Sequence, residues 1–218
     1  MKWLIASDIH GSEFYCRRLI EAYEREKADR LLLLGDLLYH GPRNDLPKDY
    51  APKKVMEMLN SLKCEIFCVR GNCEAEVDQM VLEFPVMAEY ALIPLDSFGI
   101  SSKTIIFATH GHLFNKDKLP PLKNGDILLY GHTHVPICET VALPQISEAG
   151  KPENRVICMN PGSVSIPKND SCHSYMTMEE GDRNDFDTSD TRKADKEARG
   201  IVFKWKSLDG EVYKEYSI

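Results

Sequence analysis

Five short apolar runs in the first 130 residues constrain the fold of this chain more than any other feature. They span residues 3–6, 31–34, 66–69, 105–108 and 127–130. Apolar runs of this length, bounded by glycine and polar residues, are typical of strands that are buried on both faces. Amphipathic patterns between the first three runs predict helices, so the alternation favours the α/β class.

Two helices are predicted between these runs. Ser12 can cap the first helix, and Pro52 suits the first turn of the second. The apolar residues spaced for one helix face are Phe14, Leu19, Ala22 and Tyr23 in the first helix and Val55, Met56, Leu59 and Leu62 in the second. Each helix therefore has an apolar side that can pack on a sheet.

The chain after residue 135 shows strand patterns without clear helices. Strands are predicted over 155–159, 175–178, 201–206 and 212–216, and Leu208-Asp209-Gly210 is typical of a hairpin between the last two. We expect these strands to form a second sheet packed on the first. Residues 179–199 contain 13 charged residues among 21, which predicts an exposed loop within a single domain, 1–218.

The composition argues against several functional classes. With 218 residues and a hydrophobic content of 43%, the chain suits a soluble globular protein. A net charge of −7 disfavours general nucleic-acid binding. The apolar run at the N-terminus is too short for a signal peptide or a membrane span, so no membrane partner is expected. Seven scattered cysteines favour a reducing, cytoplasmic setting.

Each of the five apolar runs is followed at once by residues that can bind a metal. The motifs are Asp8-Ile9-His10, Gly35-Asp36, Gly71-Asn72, His110-Gly111-His112 and Gly131-His132-Thr133-His134. In open α/β sheets the carboxyl ends of parallel strands lie along one edge, where ligands bind. We therefore expect the five motifs to converge.

Taken singly, each motif has an ordinary explanation as a turn, a capping acid or a surface histidine. Taken together they favour a metal site, because five of the seven histidines fall in these motifs beside two acids and one amide. Carboxylate, amide and imidazole ligands suit Mn²⁺, Fe²⁺ or Zn²⁺. Seven ligands exceed the need of one ion, which favours two ions that share a carboxylate, roughly 3.5 to 4 Å apart.

These motifs, in this order, resemble the five blocks of the calcineurin-like metallophosphoesterases. The runs Ser7-Asp8-Ile9-His10-Gly11, His40-Gly41-Pro42-Arg43-Asn44, Arg70-Gly71-Asn72-Cys73 and 160–167 are similar to a group of bacterial phosphodiesterases within that superfamily. The resemblance covers about residues 1–178. It implies a four-layer fold, in which a two-sheet β sandwich is flanked by helices, and a homo-oligomer.

The resemblance also implies a dinuclear centre with assigned ligands. One metal would be held by Asp8, His10, Asp36 and His134, and the other by Asp36, Asn72, His110 and His132. Mn²⁺ is the expected metal, with Zn²⁺, Fe²⁺ and Ni²⁺ as alternatives. The implied reaction is phosphodiester hydrolysis by a metal-bridging hydroxide. A phosphomonoesterase and a non-catalytic metal-binding scaffold of the same fold are the alternative functions.

The residue after Asn72 departs from the wider superfamily, where a histidine often stands to donate a proton to the leaving oxygen. Here it is Cys73, and a thiol with a reference pKa of about 8.5 is a poorer donor. This predicts either substrates with good leaving groups or another acid, for which His112 is the nearest candidate. His40 and Arg43 can face the substrate phosphate, although a Gly-Pro turn with Arg43 in solvent explains them equally well.

Overall fold

The computed structural model describes residues 1–99, 103–143, 154–182 and 199–218. The helices are α1 (Glu13–Glu26), α2 (Pro52–Ser61), α3 (Glu76–Val81) and a short 3₁₀ helix (Leu95–Phe98). The strands are β1 (Lys2–Ala6), β2 (Arg30–Leu33), β3 (Ile66–Cys68), β4 (Tyr90–Pro94), β5 (Ile105–Thr109), β6 (Ile127–Tyr130), β7 (Ile137–Ala142), β8 (Arg155–Asn160), β9 (Ser174–Asp182), β10 (Arg199–Ser207) and β11 (Val212–Ser217).

The strands form two mixed sheets. The first sheet has the order β11-β10-β9-β1-β2-β3, and the second has the order β4-β5-β6-β8-β7. Strands β1, β2 and β3 are parallel to one another, as are β5, β6 and β8. The two-sheet α/β sandwich with flanking helices confirms the predicted fold class.

Side-chain alternation along β1 shows how the core is divided. Trp3 and Ile5 face the second sheet, in a cluster that also contains Ile106 and Met159. Leu4 and Ala6 point to the opposite face, where α1 and α2 supply the buried residues Cys16, Leu19, Val55 and Leu59. Both faces of this strand are therefore buried, as its continuous apolar run predicts.

The two predicted helices form where their sequence signals place them. The Ser12 side chain accepts a hydrogen bond of 3.2 Å from the Tyr15 amide and caps α1. Pro52 occupies the first turn of α2, where its missing N–H is not needed. Among the described residues, no helix has the length and apolar character that a membrane span requires.

The sequence prediction was wrong about which strands share a sheet. Strands β5 and β6 belong to the second sheet, while β9, β10 and β11 extend the first. The reason is pairing between distant residues: β1 pairs antiparallel with β9, and β5 pairs with β4, which was not predicted. Strand β7 was also missed. The length and composition of an apolar run do not specify which strand it pairs with in a sheet.

The boundaries of the predicted charged loop, 179–199, also need correction. Strand β9 continues to Asp182 and β10 begins at Arg199, where the two strands pair antiparallel. Residues 179–182 and residue 199 are therefore strand residues rather than loop residues. The remainder of that prediction, residues 183–198, lies outside the described residues.

Candidate metal centre

Side chains that follow β1 and β6 form the most buried part of the site. This inner group consists of Asp8, His10 and His134, with exposed fractions of 0%, 1% and 3%. The Nε2 atoms of His10 and His134 are 3.3 Å apart. Asp8 Oδ1 lies 3.5 Å from His10 Nε2 and 3.3 Å from His134 Nε2. The three ligand atoms are close enough to hold one ion.

A second set, the outer group, consists of Asn72, His110 and His132. His110 Nε2 lies 3.1 Å from Asn72 Oδ1 and 3.2 Å from His132 Nδ1. His110 is fully buried, whereas His132 is half-buried and Asn72 is exposed. The outer group is therefore the part of the site that solvent and a substrate can reach.

Asp36 lies between the two groups. Its Oδ2 atom is 3.4 Å from His110 Nε2 and 3.7 Å from His10 Nε2. Its Oδ1 atom accepts a hydrogen bond of 2.9 Å from the Cys73 amide. That bond fixes the carboxylate so that Oδ2 faces both groups.

Backbone carbonyls fix the orientation of three imidazoles. The Nδ1 atoms of His10, His110 and His134 lie 2.8, 2.6 and 2.6 Å from the carbonyl oxygens of Tyr39, Leu34 and Ile166. A carbonyl only accepts, so each Nδ1 carries a proton and each Nε2 points into the site, where it can bind a metal ion in the neutral form of the ring. The Nε2 atoms of His10 and His134 are 3.3 Å apart, so they can share either a proton or a cation.

Five of the expected ligand residues adopt left-handed backbone conformations. Their φ angles are 61° for Asp8, 49° for His10, 56° for Asp36, 64° for His132 and 62° for His134. Such angles are uncommon outside glycine and cluster at functional sites. The strained turns direct each side chain off the end of its strand into the shared site.

The acids of the site are held ionised by the imidazoles. Burial raises the pKa values of Asp8 and Asp36, but hydrogen bonds and charges from His10, His134 and His110 lower both below the usual range. Burial lowers the pKa of His110, but Asp36 and Asp8 raise it to about 9. Burial and the charge on His110 lower the pKa of His132 to about 4. A bound metal competes with the proton on His110.

Glu74 is a buried residue of the site that the sequence analysis missed. It is 4% exposed, and its carboxylate accepts hydrogen bonds from the amides of Asp36, Leu37 and Gly71. Burial and the charge of Asp36 raise the pKa of Glu74, in opposition to those hydrogen bonds. A Cβ on Gly71 would overlap Asp36 Oδ1 and lie 2.6 Å from Glu74 Oε2, so only glycine fits this close approach.

Three polar residues at the end of β8 and just after it support the site; they lie in the run 160–167, which the sequence analysis noted without giving its side chains a role in the site. Ser163 Oγ and Ser165 Oγ both donate hydrogen bonds of 3.0 Å to the Asp8 carbonyl. Asn160 Nδ2 donates a 2.7 Å bond to the Gly131 carbonyl. These contacts hold the turns that carry Asp8 and His132, and their signal in the sequence is a polar run directly after a strand.

The remaining predicted residues lie at different distances from the centre. The His112 ring is 5.5 Å from the His110 ring and 6.3 Å from the His132 ring, and burial and the charge on His110 lower its pKa. Burial and the carboxylate of Asp36 raise the pKa of Cys73. The His40 ring contacts Tyr50 edge-on at 5.2 Å. Arg43 is exposed on the loop after β2.

Fold and site together define a class of proteins. The chain belongs to the calcineurin-like phosphoesterase superfamily, whose domain profile matches residues 1–183. It is 45% identical over 175 residues to a protein named Phosphodiesterase YfcE from Escherichia coli K12, a match that covers 80% of this chain and 85% of that protein. The family resemblance inferred from the motifs is thereby confirmed.

Solved structures agree with this assignment. The structure described as YfcE, a phosphoesterase from E. coli, superposes with a TM-score of 0.76 and 38% identity over 100% of both chains. An uncharacterised protein from Streptococcus pneumoniae has a TM-score of 0.50 and 22% identity, covering 100% of this chain and 97% of that one. The second likeness concerns the fold alone.

Proposed function

We propose that this chain is a metal-dependent phosphodiesterase. The observation that carries the proposal is the convergence of ring nitrogens and carboxylate oxygens, with the Nε2 atoms of His10 and His134 facing each other at 3.3 Å. Four strand ends supply these atoms and a fifth supplies the amide oxygen of Asn72, which is the arrangement that a bound cation requires. The relationship to a protein named Phosphodiesterase YfcE supports the substrate class.

Two metal ions fit the geometry better than one. The inner group with Asp36 makes one ligand set, and the outer group with Asp36 makes another. Asp36 Oδ2 lies within 3.7 Å of His10 Nε2 and 3.4 Å of His110 Nε2, which suits a shared carboxylate. Oxygen and nitrogen donors suit Mn²⁺, Zn²⁺, Fe²⁺ and Ni²⁺ alike. We propose Mn²⁺ because the family resemblance implies it.

The chain's own residues prepare the site for an anionic substrate. When bound, divalent ions polarise the phosphoryl oxygens and lower the pKa of the attacking water. Asp8 and Asp36 contribute two negative charges, fewer than the charge of two divalent ions. With two divalent ions held by these residues, the centre would keep a net positive charge that would attract a phosphodiester, although the whole chain carries −7.

For the leaving oxygen the proposal keeps two alternatives: substrates with good leaving groups that need no proton, or proton transfer from His112 as the nearest candidate. Cys73 stands beside the centre, but burial and the nearby Asp36 raise its pKa, so its thiol is a poor acid. The His112 Nδ1 atom is buried and has no hydrogen-bond partner among the described residues. This nitrogen is available for a substrate contact that the folded chain does not itself supply.

The loop after β2 is the proposed substrate-binding element. A Cβ on Gly41 would lie 3.4 Å from Cys73 Sγ, so the loop rests against the rim of the centre. His40 and Arg43 flank that contact, and Arg43 is free to reach a phosphate oxygen. Replacing Arg43 with alanine is expected to raise KM for a phosphodiester without changing metal content.

We also propose a cytoplasmic, single-domain protein that forms a homo-oligomer. All seven cysteines are free thiols, which suits a reducing compartment. The oligomeric state is measurable by analytical ultracentrifugation of the purified protein.

Metal analysis combined with a pair of model substrates tests the function. Purified protein is assayed with added Mn²⁺ on bis(para-nitrophenyl) phosphate and on para-nitrophenyl phosphate. We expect bound metal and faster hydrolysis of the diester. Preference for the monoester would identify a phosphomonoesterase, and bound metal without turnover of either compound would identify a non-catalytic scaffold. Absence of metal binding would refute the proposal.

A further inference from the structure

The Glu74 carboxylate joins two loops that carry different ligands. Oε2 accepts hydrogen bonds of 2.9 Å from the Asp36 amide and 2.5 Å from the Gly71 amide. Oε1 accepts a bond of 2.7 Å from the Leu37 amide. One of these loops follows β2 and carries Asp36, and the other follows β3 and carries Asn72.

The Glu74 backbone is itself held in place. The Arg70 guanidinium donates to the Glu74 carbonyl from Nε at 3.3 Å and from Nη2 at 3.1 Å. The side chain is 4% exposed, so water does not compete for the three amides. The loop after β3 is therefore closed on itself and bonded to the loop after β2.

The chemistry of these contacts requires a carboxylate. Three N–H donors point at two oxygens, and an ionised carboxyl group offers acceptor sites only. A glutamine has one acceptor oxygen, and its NH₂ group would face at least one backbone N–H. A buried N–H left without an acceptor is destabilising. Glutamine therefore cannot replace glutamate here without moving one of the loops.

We propose that Glu74 is a positioning residue that sets Asp36 and Asn72 at the separation a metal ion needs. This inference rests on the proposed metal-dependent function and assigns to Glu74 a part in metal affinity. Glu74 does not touch the ligand atoms of the imidazoles; it acts through the backbone amides of Asp36 and Gly71. Partners of this kind, outside the ligands themselves, typically change metal affinity by about 10- to 100-fold.

The test measures Mn²⁺ affinity in Glu74→Gln and Glu74→Asp by isothermal titration calorimetry. Glu26→Gln is the matched control, because Glu26 is another buried glutamate with several hydrogen bonds, 8% exposed at its side chain, but it lies away from the centre. We expect the Kd for Mn²⁺ to rise at least tenfold in Glu74→Gln, to rise less in Glu74→Asp, and to stay within about twofold in Glu26→Gln.

A second measurement needs no metal. Amide hydrogen exchange in the metal-free protein, followed by NMR, reports on the Asp36, Leu37 and Gly71 amides directly. We expect exchange to be at least about tenfold faster in Glu74→Gln and unchanged in Glu26→Gln, since each lost hydrogen bond lowers the free energy of local opening. The lower global stability expected of Glu26→Gln accelerates only amides that exchange by global unfolding, so equal acceleration of these three amides in both variants would overturn the inference.

The outcomes separate this inference from the function on which it rests. If wild type binds Mn²⁺ and Glu74→Gln binds it equally well, Glu74 is a structural residue and the inference fails while the proposed function stands. Equal weakening in Glu74→Gln and Glu26→Gln leads to the same conclusion. If wild type binds no metal, the proposed function fails and the inference fails with it. Should Glu74→Gln not fold, an unchanged Kd in Glu74→Asp would overturn the inference.

Discussion

Two clusters of buried carboxylates lie at opposite ends of β1, and they are neutralised in different ways. At the start of the strand, Glu26 accepts hydrogen bonds from Lys2, Lys206 and the hydroxyl of Tyr175, all between 2.7 and 2.8 Å. Beyond the end of the strand, Asp8 and Asp36 face imidazoles instead. One cluster contains the cations it needs, and the other contains groups that bind a cation.

The difference shows which cluster is functional. A buried charge is tolerated only when it is paired, and the ammonium groups of Lys2 and Lys206 pair Glu26 permanently. Asp8 and Asp36 keep lowered pKa values beside the imidazoles, and their negative charge raises the pKa of His110 to about 9, so the positive charge that pairs them is a proton on a histidine that a metal ion can displace. A site that exchanges its cation can take part in chemistry, whereas a lysine-paired carboxylate contributes stability.

The largest expected effect comes from Asp36→Asn, which removes the carboxylate that we propose is shared by both ligand sets. We expect turnover of a phosphodiester to fall by about 10³-fold or more, equivalent to about 4 kcal/mol, and binding of both ions to weaken. Steady-state kinetics with metal analysis checks this. Asp209→Asn is the control, since Asp209 is 82% exposed and we expect it to leave both quantities unchanged. Full turnover with two bound ions in Asp36→Asn would contradict the shared-ligand assignment.

The residues of this centre were predictable because their signals are local. Asp8, Asp36 and His132 each follow an apolar run within a few residues, and the end of a buried strand has a defined place in an α/β fold. The role of Glu74 was not predictable, because its carboxylate binds the amides of Asp36 and Leu37, which lie 38 and 37 residues away in the sequence. No local sequence pattern distinguishes Glu74 from an ordinary acidic residue in a turn.

The same reasoning explains the errors in the fold. The five runs indicate strands, but the pairing of β5 with β4 and of β1 with β9 is decided by contacts between distant segments. Strand β4 alternates between exposed and buried positions and ends at Pro94, so it lacks the continuous apolar character by which the other strands were identified. Edge strands are recognisable only when their partner is known.

The next effect concerns stability and tests the lysine-paired cluster. Burial raises the pKa of Glu26, but Lys2, Lys206 and Tyr175 lower it to about 2 from an ordinary value of 4.5. Glu26→Gln should therefore lower the free energy of unfolding by about 3 kcal/mol at neutral pH. Urea denaturation measures the loss, and phosphodiester turnover should stay unchanged.

The pH dependence of that loss follows from the lowered pKa. The contribution of Glu26 is fully present above about pH 4.5, and it disappears as the pH falls from there towards about 2. The difference between wild type and Glu26→Gln should shrink over the same interval. Glu57→Gln is the control, because its ion pair with Lys54 is exposed and is worth less than about 1 kcal/mol. A constant difference across the acid range would show that the lost packing, rather than the lost charge, is responsible.

Metal addition tests the cluster that contains Asp8 and Asp36 through the same quantity, the free energy of unfolding. At a free Mn²⁺ concentration of about 100 times Kd, wild type should gain about 2.7 kcal/mol in the free energy of unfolding relative to chelator-treated protein. Glu26→Gln should gain as much, since its cluster takes no metal. Asp36→Asn should gain less. Thermal denaturation measures this gain. An equal gain in Asp36→Asn would place the stabilising ion outside this centre.

The smallest effect comes from adding a proton donor to the centre with Cys73→His. Burial and the neighbouring carboxylates keep the pKa of the Cys73 thiol raised, and the charge of Asp36 would favour a protonated imidazole at the same position. Well-placed general acids raise the reaction rate by about 10²- to 10⁴-fold, and an imidazole introduced without further adjustment should raise it by about tenfold.

The gain should appear with alkyl phosphodiesters, whose leaving groups need a proton, and not with nitrophenyl diesters. Cys73→Ser is the control. Equal acceleration of both substrates would mean that the new side chain acts on the metal ligands rather than on the leaving oxygen.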